Sequence, residues 1–400
     1  MKKICIITPN EFPVPAIKGG AVEGLVNNLI DLNEKKHKLD ITCVSIMDSE
    51  AKDKARKYNN TKFIFVDKYF RGFIKVKREK TFFDKVLNKL NLQYYFFVKS
   101  VYNKIKKMKF DFIIIEGGDL EAYDYLIKRK RDSKYIGHIH GAEMMVTSKS
   151  SLYDSFISVS DFAAKAYTKS GYIKIKDIDV LHNGINNAKF GTKIDESEKN
   201  KIRTKLKISK KDFVIVYCGR LVKEKGVKEL LLAFKKVRQD KKIKLLIIGS
   251  SNFNLSYKNS YEEELKNITI NMSQDVVFTG YVPNTEIYKY YNIADVFVAP
   301  SLCEDAFPLS VLEAMASGLP IISTYSGGIV EQVTSKNAIL LERNDNLVDN
   351  ISSAIDSLYN DKEKKASMSN ESVKQSKKFT LEKYYDGFVE ILKKRSNNND

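Results

Sequence analysis

The clearest pattern of apolar and polar positions lies in residues 295–331. It begins at 295–299 with a short apolar run rich in valine and phenylalanine, which is typical of a strand buried on both faces. A helix is predicted to start at Pro308, where the missing N–H costs nothing, and to end just before Gly318, which suits a left-handed stop. Residues 319–323 are predicted to form the next strand. Helix N-termini would then lie at the carboxyl ends of parallel strands, where open α/β sheets bind ligands and anions.

The same alternation of apolar strands and helical stripes occurs twice along the chain. Strands are predicted at 3–8, 39–46, 62–66, 110–115, 135–139, 155–159 and 179–181, and then again at 213–218, 244–248 and 276–279. Residues 186–200 are polar and charged, which is typical of a linker. We therefore predict an α/β protein with two Rossmann-like doubly wound domains facing each other across a cleft. The domains span 1–190 and 191–379, and a last helix at 380–395 packs back on the first.

Composition limits the protein class. The 400 residues are comfortable for two domains, and no apolar run approaches the ~18 residues that span a bilayer. The start of the chain resembles a signal peptide, but its apolar run stops at Pro9 without a small-residue cleavage site. Four scattered cysteines suggest neither a zinc site nor a disulfide framework: Cys5, Cys43, Cys218 and Cys303. We expect a cytoplasmic protein.

The net charge of +18 predicts a negatively charged partner, which could be nucleic acid, anionic lipid or a phosphorylated substrate. No nucleic-acid-binding module is recognised, so we expect no nucleic-acid partner. Residues 82–109 combine an apolar stripe at helical spacing with many lysines and a single acid, Asp84. A surface helix packed on the first domain would explain the stripe. The one-sided charge favours an anionic membrane surface, to which each nearby cation contributes about 1 kcal/mol.

Two basic residues follow a predicted strand end and precede a helix, namely Arg220 after Gly219 and Lys225 before Gly226. Arginine offers a planar fork for phosphate oxygens and lysine a mobile point charge, so together they suit a diphosphate. In isolation, a solvated basic loop is the default interpretation, because Lys223 and Glu224 lie between them. The segment lacks the Walker spacing, and no strand leads into Gly-x-Gly-x-x-Gly, which argues against a nicotinamide enzyme.

Carboxylates follow in the second predicted domain. Glu304 and Asp305 form an acidic loop just before the helix at Pro308. Glu313 shares a helix face with Ser310 and Ser317, and this face could be exposed to solvent. Alternatively, the Glu313 carboxylate could accept two ribose hydroxyls, but spacing alone favours the solvent-exposed face.

Several motifs recur in one order: Gly19 and Gly20 before Ala21, Val22 and Glu23; His140, Gly141, Ala142 and Glu143; Asn183 and Gly184; Arg220 with Lys225; Asp305-x7-Glu313; and Gly327 and Gly328 with Glu331. This set resembles the GT-B retaining glycosyltransferases of family 4, the glycosyl transferases group 1. The resemblance runs from Ile4 to the last helix, and its motifs in the second half are the more specific.

The resemblance implies roles for individual residues. Those that would contact the nucleotide sugar on the second domain are Arg220 and Lys225 at the diphosphate, Glu313 at the ribose, Gly280, Tyr281 and Val282 at the base, and backbone N–H groups in the segment of Ala306, Phe307, Pro308 and Leu309 at the sugar or distal phosphate. Gly19 and Gly20 would close over the phosphates, and His140 would lie near the transferred sugar. The family usually has glutamate in place of Asp305, so either Glu304 or Asp305 could face the sugar. His138 is expected to point the other way from His140 and to pack in the core.

The implied reaction is metal-independent transfer of a sugar, with retention, from a nucleotide sugar to a lipid-linked or saccharide acceptor. The diphosphate leaves as the acceptor attacks the same face, and no cofactor is expected. A UDP-sugar donor, a role in capsule, exopolysaccharide or lipopolysaccharide synthesis, and a peripheral position at the inner face of the cell membrane are expected. A nucleotide-sugar epimerase of the same fold is the alternative, and a basic nucleic-acid-binding protein is a weaker one.

Overall fold

A computed structural model describes residues 1–67, 92–142, 146–250 and 260–397. The chain forms two compact units. Unit 1 comprises Met1–Asn183 together with Leu381–Asp400, and unit 2 comprises Gly184–Thr380. The division therefore falls slightly before the position at 190 that the sequence suggested.

Unit 1 is built on a seven-stranded sheet in which every pairing is parallel. Its strands are β1 (Lys2–Ile7), β2 (Leu39–Ile46), β3 (Thr61–Val66), β4 (Phe112–Glu116), β5 (Lys134–Ile139), β6 (Ser155–Ser158) and β7 (Ile178–Val180). Their spatial order is β3-β2-β1-β4-β5-β6-β7. Helices cover the sheet: α1 (Ala21–Lys36), α2 (Ser49–Ala55), α3 (Leu92–Ile105), α4 (Asp124–Arg129) and α5 (Asp161–Thr168). Strands such as β4, whose five residues are all buried, are apolar runs because both faces of the sheet are covered.

Unit 2 repeats this plan with six parallel strands. The strands are β8 (Phe213–Cys218), β9 (Ile243–Ile248), β10 (Val276–Gly280), β11 (Val296–Ala299), β12 (Ile321–Thr324) and β13 (Ala338–Leu341). Their order is β10-β9-β8-β11-β12-β13, which is the Rossmann order when counted from β8. The helices are α6 (Asn187–Gly191), α7 (Glu196–Lys205), α8 (Val227–Val237), α9 (Ser260–Ile268), α10 (Asn284–Tyr291), α11 (Leu309–Ala316), α12 (Ile329–Gln332), α13 (Leu347–Asn360) and α14 (Lys362–Ser376).

The last helix, α15 (Leu381–Asn397), packs into the core of unit 1. Its apolar residues recur at three and four positions, so one face of the helix is buried. On that face Tyr385 donates a hydrogen bond from Oη to Asn33 Oδ1 at 2.7 Å. At the edge of the contact, Asp386 pairs with Lys36 and Lys38, each at 2.9 Å. The chain therefore returns to unit 1 after completing unit 2.

The predicted linker at 186–200 is wrong, because α6 and the first half of α7 lie there. The composition is polar, but each helix begins at a capping side chain: Asn186 accepts from the Lys189 N–H at 2.9 Å, and Asp195 accepts from the Glu198 N–H at 2.7 Å. Such caps satisfy helix N–H groups that would otherwise lack partners. Residues 362–376, just before the last helix, are also largely polar and form the helix α14.

The order of the strands determines where ligands can bind. It reverses between β1 and β4 in unit 1, and between β8 and β11 in unit 2. Loops that leave the carboxyl ends of two such strands part to opposite faces of the sheet and open a crevice between them. No helix in the described part of the chain is both long and apolar enough to cross a membrane.

Candidate functional site

The loop after β8 brings the two predicted phosphate-binding cations to the crevice of unit 2. The Arg220 backbone oxygen accepts a hydrogen bond from Tyr217 Oη at 2.8 Å, and its side chain is exposed. Lys225 lies five residues on, just before α8. Gly226, which follows Lys225, has φ +67°. A Cβ at this position would lie 1.9 Å from the backbone oxygen of Pro300, just after β11. Only glycine lets this loop sit so close to the loop after β11.

Lys225 is paired with Asp305 across the crevice. Its Nζ contacts Asp305 Oδ1, while Ser301 Oγ donates to Asp305 Oδ2. The side chains are 20% and 13% exposed, so the pair is only partly removed from water. Solvent therefore still screens part of the attraction between the two charges.

The neighbouring acid, Glu304, has different partners. Arg343, from the segment after β13, contacts Glu304 Oε1 and also donates from Nη1 to the oxygen of Leu302 at 3.2 Å. The N–H of Gly327 donates to Glu304 Oε2. Sequence analysis did not identify Arg343 as a site residue. A basic residue just past a strand end at this edge of the sheet was the available signal.

The loop after β12 holds the acidic loop in place. The N–H of Asp305 donates to Ser326 Oγ at 3.0 Å, and the N–H of Gly328 donates to the Asp305 oxygen at 2.7 Å. Gly327 has φ +43°, and a Cβ there would lie 2.2 Å from that same oxygen. This packing explains the glycine at position 327. It also fixes the entry to α11.

The start of α11 follows the acidic loop. Ala306 and Phe307 are buried, and the Pro308 oxygen accepts from Gln332 Nε2 at 2.9 Å. Leu309 begins the helix, with Pro308 at the capping position and no side-chain cap. The first N–H groups of a helix suit an anion or a hydroxyl oxygen.

Glu313 is buried in the second turn of α11, so the solvent-exposed reading of its helix face is wrong. It is 5% exposed. Tyr291 Oη donates to its Oε2 at 3.1 Å, and Asn284 Nδ2 donates to its Oε1 at 3.3 Å. Burial raises the pKa of Glu313 above its ordinary value, partly offset by these two donors and by Lys189. The two donors hold the carboxylate in one orientation.

Gly280, Tyr281 and Val282 lie at the end of β10, along the same edge. Gly280 has φ +69° with open space where a Cβ would be, and its oxygen accepts from the Gly249 N–H at 2.9 Å. Val282 is buried. The predicted contacts of unit 2 therefore all belong to its carboxyl edge or to the helices that begin there.

In unit 1 the predicted Gly19 and Gly20 turn leads into α1. Both have positive φ, 87° and 91°. A Cβ on Gly20 would lie 2.1 Å from Oε2 of Glu23, a glutamate that is almost fully buried. Burial raises the pKa of Glu23 to about 7, against hydrogen bonds from its own backbone and that of Phe12. Glycine at position 20 thus makes room for a carboxylate to which the sequence assigned no role.

His140 belongs to a buried group with Glu116 and His138. His140 Nε2 lies 2.9 Å and His138 Nδ1 2.8 Å from the same oxygen, Glu116 Oε2. The prediction that His138 points away from His140 is wrong, because residues two apart along an extended chain share a face. The donor atoms of the three residues lie within 4.8 Å of one another, a set that a divalent transition metal also accepts. Glu143 of the predicted motif lies outside the described residues.

Comparison with known proteins adds three kinds of finding. Residues 198–375, within unit 2, match the model of the family "Glycosyl transferases group 1". Spore coat protein SA of Bacillus subtilis (strain 168) is 25% identical over 349 residues, which is 85% of each chain. The lipopolysaccharide 1,2-N-acetylglucosaminetransferase of Salmonella typhimurium (strain LT2) is 25% identical over 269 residues, covering 67% of this chain and 68% of that protein.

The fold has solved counterparts. The crystal structure of Anabaena Alr3699/HepE in complex with UDP-glucose superposes with a TM-score of 0.75 over 98% of this chain and 100% of that one, at 17% sequence identity. At this level of identity the similarity concerns the fold alone.

Proposed function

Because the comparisons support a group 1 glycosyltransferase with the GT-B fold, we propose that the protein transfers a sugar, with retention, from a nucleotide sugar to a lipid-linked or saccharide acceptor. A UDP-sugar is the proposed donor, and cell-surface polysaccharide synthesis, as in capsule, exopolysaccharide or lipopolysaccharide, is the proposed context. The relative from Salmonella and the UDP-glucose complex from Anabaena support this choice. The main support is the loop after β8, which contains exposed Arg220 and Lys225, the latter paired with Asp305 of the loop after β11.

The chemistry of the leaving group explains why these cations matter. Breaking the bond between sugar and diphosphate leaves positive charge on the sugar and negative charge on the phosphate. We assign the stabilisation of that negative charge to Arg220, Lys225 and the N–H groups at the start of α11. This assigns leaving-group stabilisation to groups of the chain itself, and we propose that no metal takes part.

Of the two acids, we assign the sugar contact to Asp305. Glu304 is held through both oxygens, by Arg343 and by the Gly327 N–H. Asp305 is bound by Lys225, which the donor phosphate would attract. When Lys225 turns to the phosphate, one Asp305 oxygen is freed for a sugar hydroxyl. Ser301 retains the other oxygen and so keeps the carboxylate oriented.

A donor screen tests the proposal. Thermal shift with UDP-, GDP- and dTDP-sugars should reveal the donor, since a ligand at ~100 times its dissociation constant adds about 2.7 kcal/mol of stability. Mass spectrometry then follows donor turnover with and without a saccharide or lipid-linked acceptor. Turnover that depends on acceptor is expected. Isomerised nucleotide sugar formed without acceptor would favour the epimerase, and the absence of turnover with every donor would contradict the proposal.

We also propose a peripheral position on an anionic membrane through residues 82–109. Residues 82–91 lie outside the described part. In α3 the apolar residues Phe97, Val98, Val101 and Ile105 are buried within unit 1, whereas Lys99 and Lys104 are exposed. The apolar stripe is thus occupied by packing, and attraction to lipid would rest on the lysines. Such binding should weaken strongly with salt.

Liposome co-sedimentation with anionic and neutral vesicles tests this. Binding to anionic vesicles at low salt is expected to fall when Lys99, Lys104 and Lys106 are all changed to glutamine. The matched control changes Lys165, Lys169 and Lys174 to glutamine. These lysines are exposed elsewhere on unit 1, so the control variant loses the same amount of charge. Equal binding by both triple variants, or binding insensitive to salt and lipid charge, would contradict a specific membrane surface.

A further inference from the structure

The carboxylate of Glu313 is the end of a hydrogen-bonded series of side chains within unit 2. Lys189, in α6, is half-buried. Its Nζ donates to two oxygens of Asn284, the backbone oxygen at 2.6 Å and Oδ1 at 2.8 Å. Asn284 begins α10, and its Nδ2 donates in turn to Glu313 Oε1 at 3.3 Å. The helices α6, α10 and α11 therefore meet through three side chains, and sequence analysis assigned no role to Lys189 or Asn284.

The chemistry of the two end groups fixes the orientation of the Asn284 amide. An ammonium group only donates and a carboxylate only accepts, whereas an amide has an oxygen that accepts and a nitrogen that donates. A flipped amide would place its nitrogen against Lys189 and its oxygen against Glu313, so both contacts favour the same orientation. Asn284 is exposed, and its side chain would rotate in solvent without such contacts. Lys189 prevents this, because it bonds the backbone and the side chain of Asn284 together.

Glu313 is oriented from two sides and keeps acceptor capacity on both oxygens. Oε1 accepts from Asn284, and Oε2 accepts from Tyr291 Oη at 3.1 Å. Asn284 and Tyr291 are the first and last residues of α10, about two turns apart on one face of the helix. A carboxylate has about four lone-pair sites, so one donor on each oxygen leaves a further site on each. Such an arrangement suits two hydroxyls on neighbouring carbons, each donating to one oxygen.

We propose that Asn284 and Lys189 are positioning residues that orient Glu313 to accept both the 2′- and the 3′-hydroxyl of a ribose, so that the site selects ribonucleotides over 2′-deoxyribonucleotides. This rests on the proposed function, which places the ribose of the donor at Glu313. Without the 2′-hydroxyl, one oxygen of a buried carboxylate lacks a donor, and unsatisfied buried charged groups are costly. The donor class is thereby narrowed to sugars of ribonucleoside diphosphates, which excludes dTDP-sugars.

Paired nucleotides measure this selection directly. Calorimetry gives the Kd of UDP and the Kd of 2′-deoxy-UDP, and the ratio of the two is the readout. The wild type should bind UDP roughly 10- to 100-fold more tightly, the range expected for one hydrogen bond to a charged group. A variant that merely loosens the fold weakens the binding of both nucleotides alike. The ratio therefore reports the orientation of Glu313 rather than stability.

Asn284→Asp is the sharpest variant. It is nearly isosteric and still accepts from Lys189, but it presents an oxygen to Glu313 instead of a donor. A role limited to holding α6 against α10 would survive this change. If Asn284 orients Glu313, the ratio of the two Kd values should fall at least about 5-fold.

Changes at Lys189 test the other end of the series. Lys189→Met, which keeps a long side chain without a donor, should lower the ratio about 2- to 5-fold, and Lys189→Arg, which still donates, should retain it. The matched control is Lys193→Met, because Lys193 lies just after α6 but donates to the oxygen of Ser317 at 2.9 Å. This control should keep the wild-type ratio. Circular dichroism verifies folding of each variant.

Three results would overturn the proposal: a wild-type ratio near one, an unchanged ratio in the Asn284→Asp protein, or a donor screen in which only dTDP-sugars bind. A wild type that binds no nucleotide would contradict the proposed function and this inference with it. Equal binding of the two nucleotides would contradict this inference alone, so the two failures are distinguishable.

Discussion

The two units share one strand order but use their charged groups differently at the carboxyl edge. In unit 2 Lys225 with Asp305 and Arg343 with Glu304 are partly exposed pairs on loops. In unit 1 Glu116 and Glu23 are almost fully buried, one at a strand end and the other in the first turn of a helix. Exposed pairs exchange partners at small cost, whereas an unpaired buried charge is expensive. Unit 2 is thus suited to exchanging ions with a ligand, and unit 1 to holding groups in one state.

The largest expected effect concerns the partly exposed charged groups of unit 2. Lys225→Ala, and likewise Arg220→Ala, should lower turnover by roughly 100-fold or more, the scale of losing one preorganised electrostatic donor. Folding should survive, because a partly exposed pair adds little stability. Steady-state assays with Lys223→Ala as control, an exposed lysine in the same loop, measure this. Near-normal turnover of the Lys225→Ala protein would remove the diphosphate assignment.

A second, smaller effect concerns Glu313, which is buried although it belongs to unit 2. Glu313→Ala should weaken binding of the nucleotide alone, as well as of the nucleotide sugar, by about 1.5–3 kcal/mol, the cost of losing a hydrogen bond to a charged group. It should also lower stability by about 1–3 kcal/mol, because Tyr291 Oη and Asn284 Nδ2 lose their acceptor.

Calorimetry with UDP and a urea unfolding curve separate the two consequences. Glu286→Ala, which removes a glutamate on α10 paired with Lys289, is the control. Unchanged nucleotide affinity in a destabilised Glu313→Ala protein would make Glu313 a structural residue only.

The smallest expected effect concerns Glu23, a buried carboxylate of unit 1. Because the folded-state pKa of Glu23 is raised to about 7, the folded protein holds a proton that the unfolded chain releases near its ordinary value of 4.5. Stability is therefore lost as pH rises, by about 1.4 kcal/mol between pH 6 and pH 8 from this group. Glu23→Gln cannot deprotonate and should lack this loss.

Urea unfolding at the two pH values measures the difference, with Glu50→Gln on the exposed side of α2 as control. If wild type and Glu23→Gln show the same difference in stability between pH 6 and pH 8, Glu23 has an ordinary pKa and its burial has no electrostatic consequence.

Most strands were predictable because both sheets are parallel and covered on each face, which makes strands such as β8 continuous apolar runs. The edge strand β13 was not predicted. β2 and β8 begin and end where the sequence placed them. The helices α6, α7 and α14 were missed, since their surfaces are largely polar and their starts depend on caps such as Asp195 and Asp361. A polar helix on the surface differs little in composition from a loop.

The residues of the candidate site also differ in how far the local sequence could predict them. Local pattern sufficed for the glycine turns, for Arg220 and Lys225 after a strand end, and for the acidic loop before α11. It should also have sufficed for His138, since residues two apart on a strand face the same side.

Pairings between distant residues were settled only in three dimensions. Lys225 meets Asp305 because β8 and β11 are neighbours, and His140 meets Glu116 because β5 lies beside β4. The sequence by itself determined the alternation of elements and the kinds of charged group, because strand burial and turn geometry are local. Tertiary structure alone decided which acid takes which cation and which carboxylates lose their water, because both depend on strand order and on burial by elements far away in the chain.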